Sequence, residues 1–152
     1  MKYSKLMKER VRRVAVLLRE LGYELLDGEF VDDTYSAGFE SSDGFQAGVF
    51  IDRESKFLEM VYTFTFSPNL TDYVQGRLEE MYQICYDYGC HTNLQTTPDE
   101  VSFSVFSKIY YAGLNFYSLK ETVRDFREAT EELRLLLEIP SELERESSDG
   151  TS

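Results

Sequence analysis

A chain of 152 residues, 42% hydrophobic and 14% aromatic, reads as one domain, residues 1–140, that buries a sizeable core without a metal, cofactor or disulfide. No apolar run approaches the ~20 residues of a membrane helix, and MKYSKLMKER leads into an amphipathic pattern instead of a signal-peptide core, so the expectation is a cytoplasmic protein with no stable membrane insertion. A formal charge of −12 argues against nucleic acid as a partner, because binding phosphates requires clustered Lys and Arg.

The first predicted helix spans residues 4–21, where Met7, Val11, Val14, Leu18 and Leu21 form one apolar stripe and Gly22 stands at the C-terminal cap position. This segment is basic. Residues 1–20 hold Lys2, Lys5, Lys8, Arg10, Arg12, Arg13 and Arg19 against Glu9 and Glu20, which reads first as a solvated face and second as a surface for an acidic partner or anionic lipid. Residues 23–33 follow as a short strand or extended connection ending in an acidic turn.

A meander comes next. Tyr35, Ala37 and Phe39 alternate with polar or small residues, Asp43-Gly44 marks a hairpin turn, and Phe45, Ala47, Val49 and Ile51 carry the next apolar set. The turn 52–56 leads into Phe57–Phe66, the longest predicted strand, whose even positions are all apolar. Pro68 ends it. The second predicted helix runs from Leu70 to Tyr88, with Leu70, Val74, Leu78, Met81 and Cys85 on one face and Gly76 as a weak point. Two strands, His91–Thr96 and Val101–Lys108, follow around the turn 97–100. The last helix is predicted from a Ser118/Glu121 capping box, with Leu119, Val123, Phe126, Thr130, Leu133 and Leu137 on its buried stripe up to Pro140. The remaining segment, 141–152, reads as a disordered acidic tail. The fold expectation is therefore α+β, in the order α-β-β-β-α-β-β-α, with an antiparallel five-stranded sheet packed against helices.

Catalytic apparatus is not visible in this pattern. His91, Cys85 and Cys90 supply three metal-type ligands where zinc takes four, and Cys85 lies on an apolar stripe. Asp27, Glu29, Asp32 and Asp33 gather carboxylates but lack calcium-loop spacing, so they read as turn acids. There is no phosphate loop and no nucleophile elbow. The expectation is no catalytic residue, no cofactor and no bound metal.

What alternation leaves over is more informative. If the core takes the apolar sets above, then Phe50, Phe57, Val61 and Phe106 point to the other face of the sheet. Tyr110 and Tyr111 extend that set, giving a candidate surface for a protein partner or a dimer.

The element order, carried by residues 4–21, 34–66, 70–88, 91–108 and 118–138 and by the run Glu100-Val-Ser-Phe-Ser-Val-Phe, resembles the type III secretion chaperone fold. It is similar in particular to the bacterial YbjN family. The resemblance implies a non-enzymatic homodimer that holds a protein segment or acts as a regulator, and the basic first helix departs from the acidic character of those chaperones. The functional expectation is a protein-binding module; the alternatives are a small enzyme or small-ligand binder with a pocket lined by Tyr35, Tyr62 or Tyr82 and an acidic group nearby, or a structural subunit of a larger complex.

Overall fold

A computed structural model describes residues 4–138. Among them the chain forms α1 (Lys5–Glu20), β1 (Tyr23–Val31), β2 (Thr34–Ser41), β3 (Gln46–Asp52), β4 (Phe57–Phe66), α2 (Thr71–Gln75), α3 (Leu78–Asp87), β5 (His91–Thr96), β6 (Val101–Tyr110) and α4 (Phe116–Leu136), with 3-10 turns at Pro68–Leu70 and Tyr111–Gly113. The strands pair in the order β1-β2-β3-β4-β6-β5, and β1 to β4 are antiparallel neighbours. The fold class is the α+β expected, with an antiparallel sheet. The tail at 141–152 and the stop at Pro140 lie outside the described residues.

The sheet has six strands, not five. The additional one is β1, whose alternation is broken by a bulge between Leu26 and Glu29. Before the bulge Leu25 pairs with Phe39; after it Phe30 pairs with Tyr35. An odd and an even position thus share one face, and Asp27 takes a left-handed φ of 52° to make the shift.

The described residues divide into two compact units, the first comprising 4–62 and 106–124, the second 63–105 and 125–138. In the first, α1 lies against β1 and β3, and Met7, Val14 and Leu18 are sealed together with Phe39, Val49, Ile51, Leu58, Met60, Leu119 and Val123. Ser4 caps α1 by accepting from the Met7 amide at 3.1 Å. The β2–β3 hairpin closes through Gly44, whose φ of +94° suits the turn.

In the second unit Leu70, Val74, Met81, Cys85, Val101, Phe103, Val105, Phe126, Ala129, Leu133 and Leu137 are buried. The helix expected over residues 70–88 is parted into α2 and α3 at Gly76 and Arg77, where Arg77 leaves helical geometry with φ −115°. Gly76 is the poorest helix former there, and a Cβ on it would sit 3.3 Å from the Asp72 carbonyl of its own preceding turn. The apolar stripe survives the break.

The start of α4 also differs from expectation. It begins at Phe116, and Asn115 holds the cap: the Ser118 amide donates to Asn115 Oδ1 at 2.9 Å, and the Asn115 amide donates to Ser118 Oγ at 3.0 Å. Ser118 thus fills the third helical position of the box, and the helix starts one turn earlier than predicted, because Asn is at least as good a cap as Ser.

Candidate docking face on the open side of the sheet

The first unit brings five of the six expected surface residues to one face. In β3 the buried positions are Val49 and Ile51, in β4 Leu58 and Met60, and in β6 Ile109. Successive side chains alternate, so Phe50, Phe57, Val61, Phe106 and Tyr110 project from the opposite side. Phe50 is 38% exposed and Tyr110 62%; Phe57, Val61 and Phe106 are half-buried.

Register orders this face into rows. Phe50 pairs with Ser36 on β2 and Glu59 on β4. The neighbouring row runs Leu26, Gly38, Gly48, Val61. Two adjacent glycines leave a low strip between Leu26 and Val61, and Val61 leans over it: a Cβ on Gly48 would meet Val61 Cγ1 at 3.0 Å. The row beyond is polar, with Glu24, Glu40 and Gln46 in line. At the other end Phe57 meets Tyr110 edge-on, with ring centroids 5.9 Å apart, and Lys108 Nζ stands 4.5 Å from the Phe57 centroid. The face is an apolar strip rimmed by charge.

Beside it lies an open cavity of about 420 Å³ lined by Thr34, Phe50, Asp52, Ser55, Phe57 and Glu59. Most of its polar groups are committed locally. Thr34 donates to Asp52 Oδ2 at 3.2 Å, the Glu54 amide donates to Asp52 Oδ1 at 2.8 Å, and Ser55 Oγ both donates to the Phe57 carbonyl and accepts from the Phe57 amide. These are turn bonds that shape the β3–β4 connection.

Tyr111 does not belong to this face. The chain turns after Tyr110, and the Tyr111 ring lies beneath the Arg10 guanidinium at 4.2 Å, on the α1 side. Alternation itself separates the two tyrosines: Tyr110 takes the open side and Tyr111 the covered one. Arg10 is the residue that sequence reading missed. Its Nη1 lies 3.1 to 3.2 Å from the carbonyls of Asp52, Arg53 and Ser55, tying α1 to the β3–β4 turn. Arg13 donates to the Leu114 carbonyl. The signal was available in the spacing: Arg10 sits three residues after Met7 and four before Val14, on the edge of the buried stripe.

The other candidates are dispersed. Tyr35 packs edge-on against Phe30 at 4.8 Å and Tyr62 stacks on Phe45 at 6.1 Å, while Tyr82 belongs to α3 in the second unit and tilts against Phe103. Each ring is taken by a different neighbour. Asp27 lies in the β1 bulge, and Asp33 pairs loosely with Arg53 at 3.9 Å. Among the described residues, no three His, Cys, Asp or Glu side chains gather as a metal would need. His91 is exposed on β5. Cys85 is buried and Cys90 half-buried, both as free thiols. Burial, with Cys90 as a smaller cause, pushes the Cys85 thiol up to about 12; burial, with Asp125 behind it, pushes Cys90 up to about 11. Both thiols stay protonated at neutral pH, whereas a nucleophilic cysteine works as the thiolate.

The fold defines a class, an α+β chain with a six-stranded antiparallel sheet, and a solved structure shares it. That structure is an uncharacterized protein from Methanothermobacter thermautotrophicus, superposing with a TM-score of 0.65 over 86% of this chain and 96% of that chain, at 13% identity. At that identity the likeness is one of fold. No protein-family model matches the chain, and no curated relative does. Among the described residues, no helix is long and apolar enough to cross a membrane.

Proposed function

We propose that the protein is a cytoplasmic, non-enzymatic binding module that works as a homodimer and holds an extended segment of a partner protein on the open face of its sheet. The reading is in keeping with the resemblance to the YbjN family and the type III secretion chaperone fold, and it extends to a chaperone-like or regulatory role. One observation carries it: Phe50, Phe57, Val61, Phe106 and Tyr110, from three strands, line a single uncovered face. The carboxylate and hydroxyls of Asp52, Thr34 and Ser55 beside it spend hydrogen bonds on the local turn instead of converging on a reactant. An extended peptide suits such a strip, because its alternate side chains can seat between the aromatic rings and over the paired glycines.

The test is affinity capture from the native cell with the wild-type chain and with Phe50→Ser/Phe106→Ser. Loss of the co-purifying protein with an unchanged circular dichroism spectrum is expected. Equal recovery from both chains would sink the reading. The size of the open cavity, about 420 Å³, falls within the range of small-molecule sites and favours a small ligand as the second reading. A metabolite that raises the melting temperature of the wild type but not of Phe57→Ala would promote it.

A further inference from the structure

We propose that the cleft between α1 and the turn after β6 binds a compact organic anion, a carboxylate carried on an apolar body. The cleft lies on the α1 side of the first unit, away from the open face, and measures about 370 Å³, within the range of small-molecule sites. Arg10 and Arg13 line it from one face of α1, three residues apart. Tyr111, Ala112 and Leu114 line it from the turn.

Both arginines are held in place without being neutralised. Arg10 bonds through Nη1 to the carbonyls of the β3–β4 turn and lies over the Tyr111 ring, and Arg13 bonds through Nη2 to the Leu114 carbonyl. A guanidinium carries five N–H donors, so each keeps donors beyond these bonds. Among the described residues neither is within ion-pair distance of a carboxylate. Glu9, the one acid in the lining, is paired with Arg12 at 2.9 Å, so the cleft retains two positive charges. Tyr111 adds a buried hydroxyl that has no hydrogen-bond partner among the described residues, and native structures seldom leave such a group unpaired.

The surroundings select the ligand. In a chain of net charge −12, residues 1–20 hold seven basic groups against two acidic ones, so an anion repelled elsewhere is drawn to this helix. Leu6, 51% exposed, lines the cleft with Ala112 and Leu114; a bare inorganic ion leaves that apolar wall wet, and an organic body covers it. The planar oxygens of a carboxylate match the guanidinium fork.

Calorimetric titration of the full chain with benzoate at low salt tests the assignment, against benzyl alcohol, inorganic phosphate and phenyl phosphate. Benzoate is expected to bind the wild type, with benzyl alcohol and inorganic phosphate each at least about tenfold weaker, and Arg13→Gln should lose at least about tenfold in affinity. Lys8→Gln removes the same charge from an exposed position of α1 outside the lining and should bind as the wild type does, as should Phe57→Ala on the open face. Leu6→Ser, at an exposed position, should weaken benzoate and leave inorganic phosphate unchanged, a comparison that stands even if Arg13→Gln fails to fold. No heat from benzoate at millimolar concentration, or equal weakening by Lys8→Gln and Arg13→Gln, would overturn the site. Tighter binding of phenyl phosphate than of benzoate would overturn the carboxylate head.

Discussion

Phe39 and Phe50 lie on adjacent strands of the same unit and meet opposite fates. Phe39 is wholly sealed, with the Tyr23 ring edge-on at 5.5 Å and Phe45 at 6.2 Å. Phe50, between Ser36 and Glu59, is 38% exposed. Both are aromatic residues in period-two strands, and neither propensity nor hydrophobicity separates them. What separates them is the cover, because α1 lies against β1 and β3 on one side of the sheet. Alternation therefore reports which residues stand together, while the amphipathic stripes of the helices decide which set is covered.

That difference predicts a steep gradient in stability. Phe39→Ala removes a ring with no exposed surface and should cost about 3–5 kcal/mol in urea unfolding. Phe50→Ala should cost less than ~1 kcal/mol. Equal costs would mean that the open face is covered after all, by a partner copy or another segment, and would redirect attention to what covers it.

Arg10 sharpens the comparison between the covered and solvated sides of α1. Lys5, Lys8 and Arg12 are exposed, and the Arg12–Glu9 pair at 2.9 Å lies in full solvent, where such pairs contribute little. Arg10 instead reaches three turn carbonyls and covers the Tyr111 ring. Arg10→Ala should destabilise by about 2–3 kcal/mol, the worth of charge-assisted hydrogen bonds plus a cation–π contact, and Arg12→Ala far less, because its ion pair is screened by solvent. If the two variants melt together, Arg10 is another solvated cation and the tie to the β3–β4 turn carries no weight.

Much of this architecture was legible because periodic burial writes itself into periodic sequence. The buried sets of β3, β4, β6, α1 and α4 follow the spacing of their apolar residues, and the five open-face residues follow from the same parity. What escaped has physical causes. The β1 bulge exchanges odd for even positions between Leu25 and Phe30, so no period-two signal spans the strand. Asn115 and Ser118 both qualify as caps, and only backbone geometry chooses between them. Arg10 was hidden by its charge, since an arginine that bonds to carbonyls reads in sequence like one that meets water. Tyr111 was grouped with Tyr110 by adjacency, although the strand ends there and the chain turns the two rings apart.

The smallest expected effect concerns that same tyrosine. Its hydroxyl is buried and has no hydrogen-bond partner among the described residues, and an unsatisfied buried hydroxyl costs ~1–3 kcal/mol. Phe would keep the ring beneath Arg10 and discard the hydroxyl, so Tyr111→Phe should leave stability unchanged or raise it by up to ~1 kcal/mol. A pH series gives the change a sign. Burial pushes the Tyr111 phenol from 10.0 up to about 12, against a smaller lowering by Arg10, and holds the Cys85 thiol at about 12 and Cys90 at about 11, from 9.0. Each group binds its proton more tightly folded than unfolded. Its contribution is complete below the unfolded value and is lost as pH rises toward the folded one. Urea unfolding should therefore weaken progressively from pH 9 to 12. Cys85→Ala should flatten that decline from pH 9 upward, and Tyr111→Phe only from pH 10. An alkaline decline that is identical in the wild type and in Tyr111→Phe would show that the phenol is hydrated, and that the Arg10 contact lies at the surface instead of beneath it.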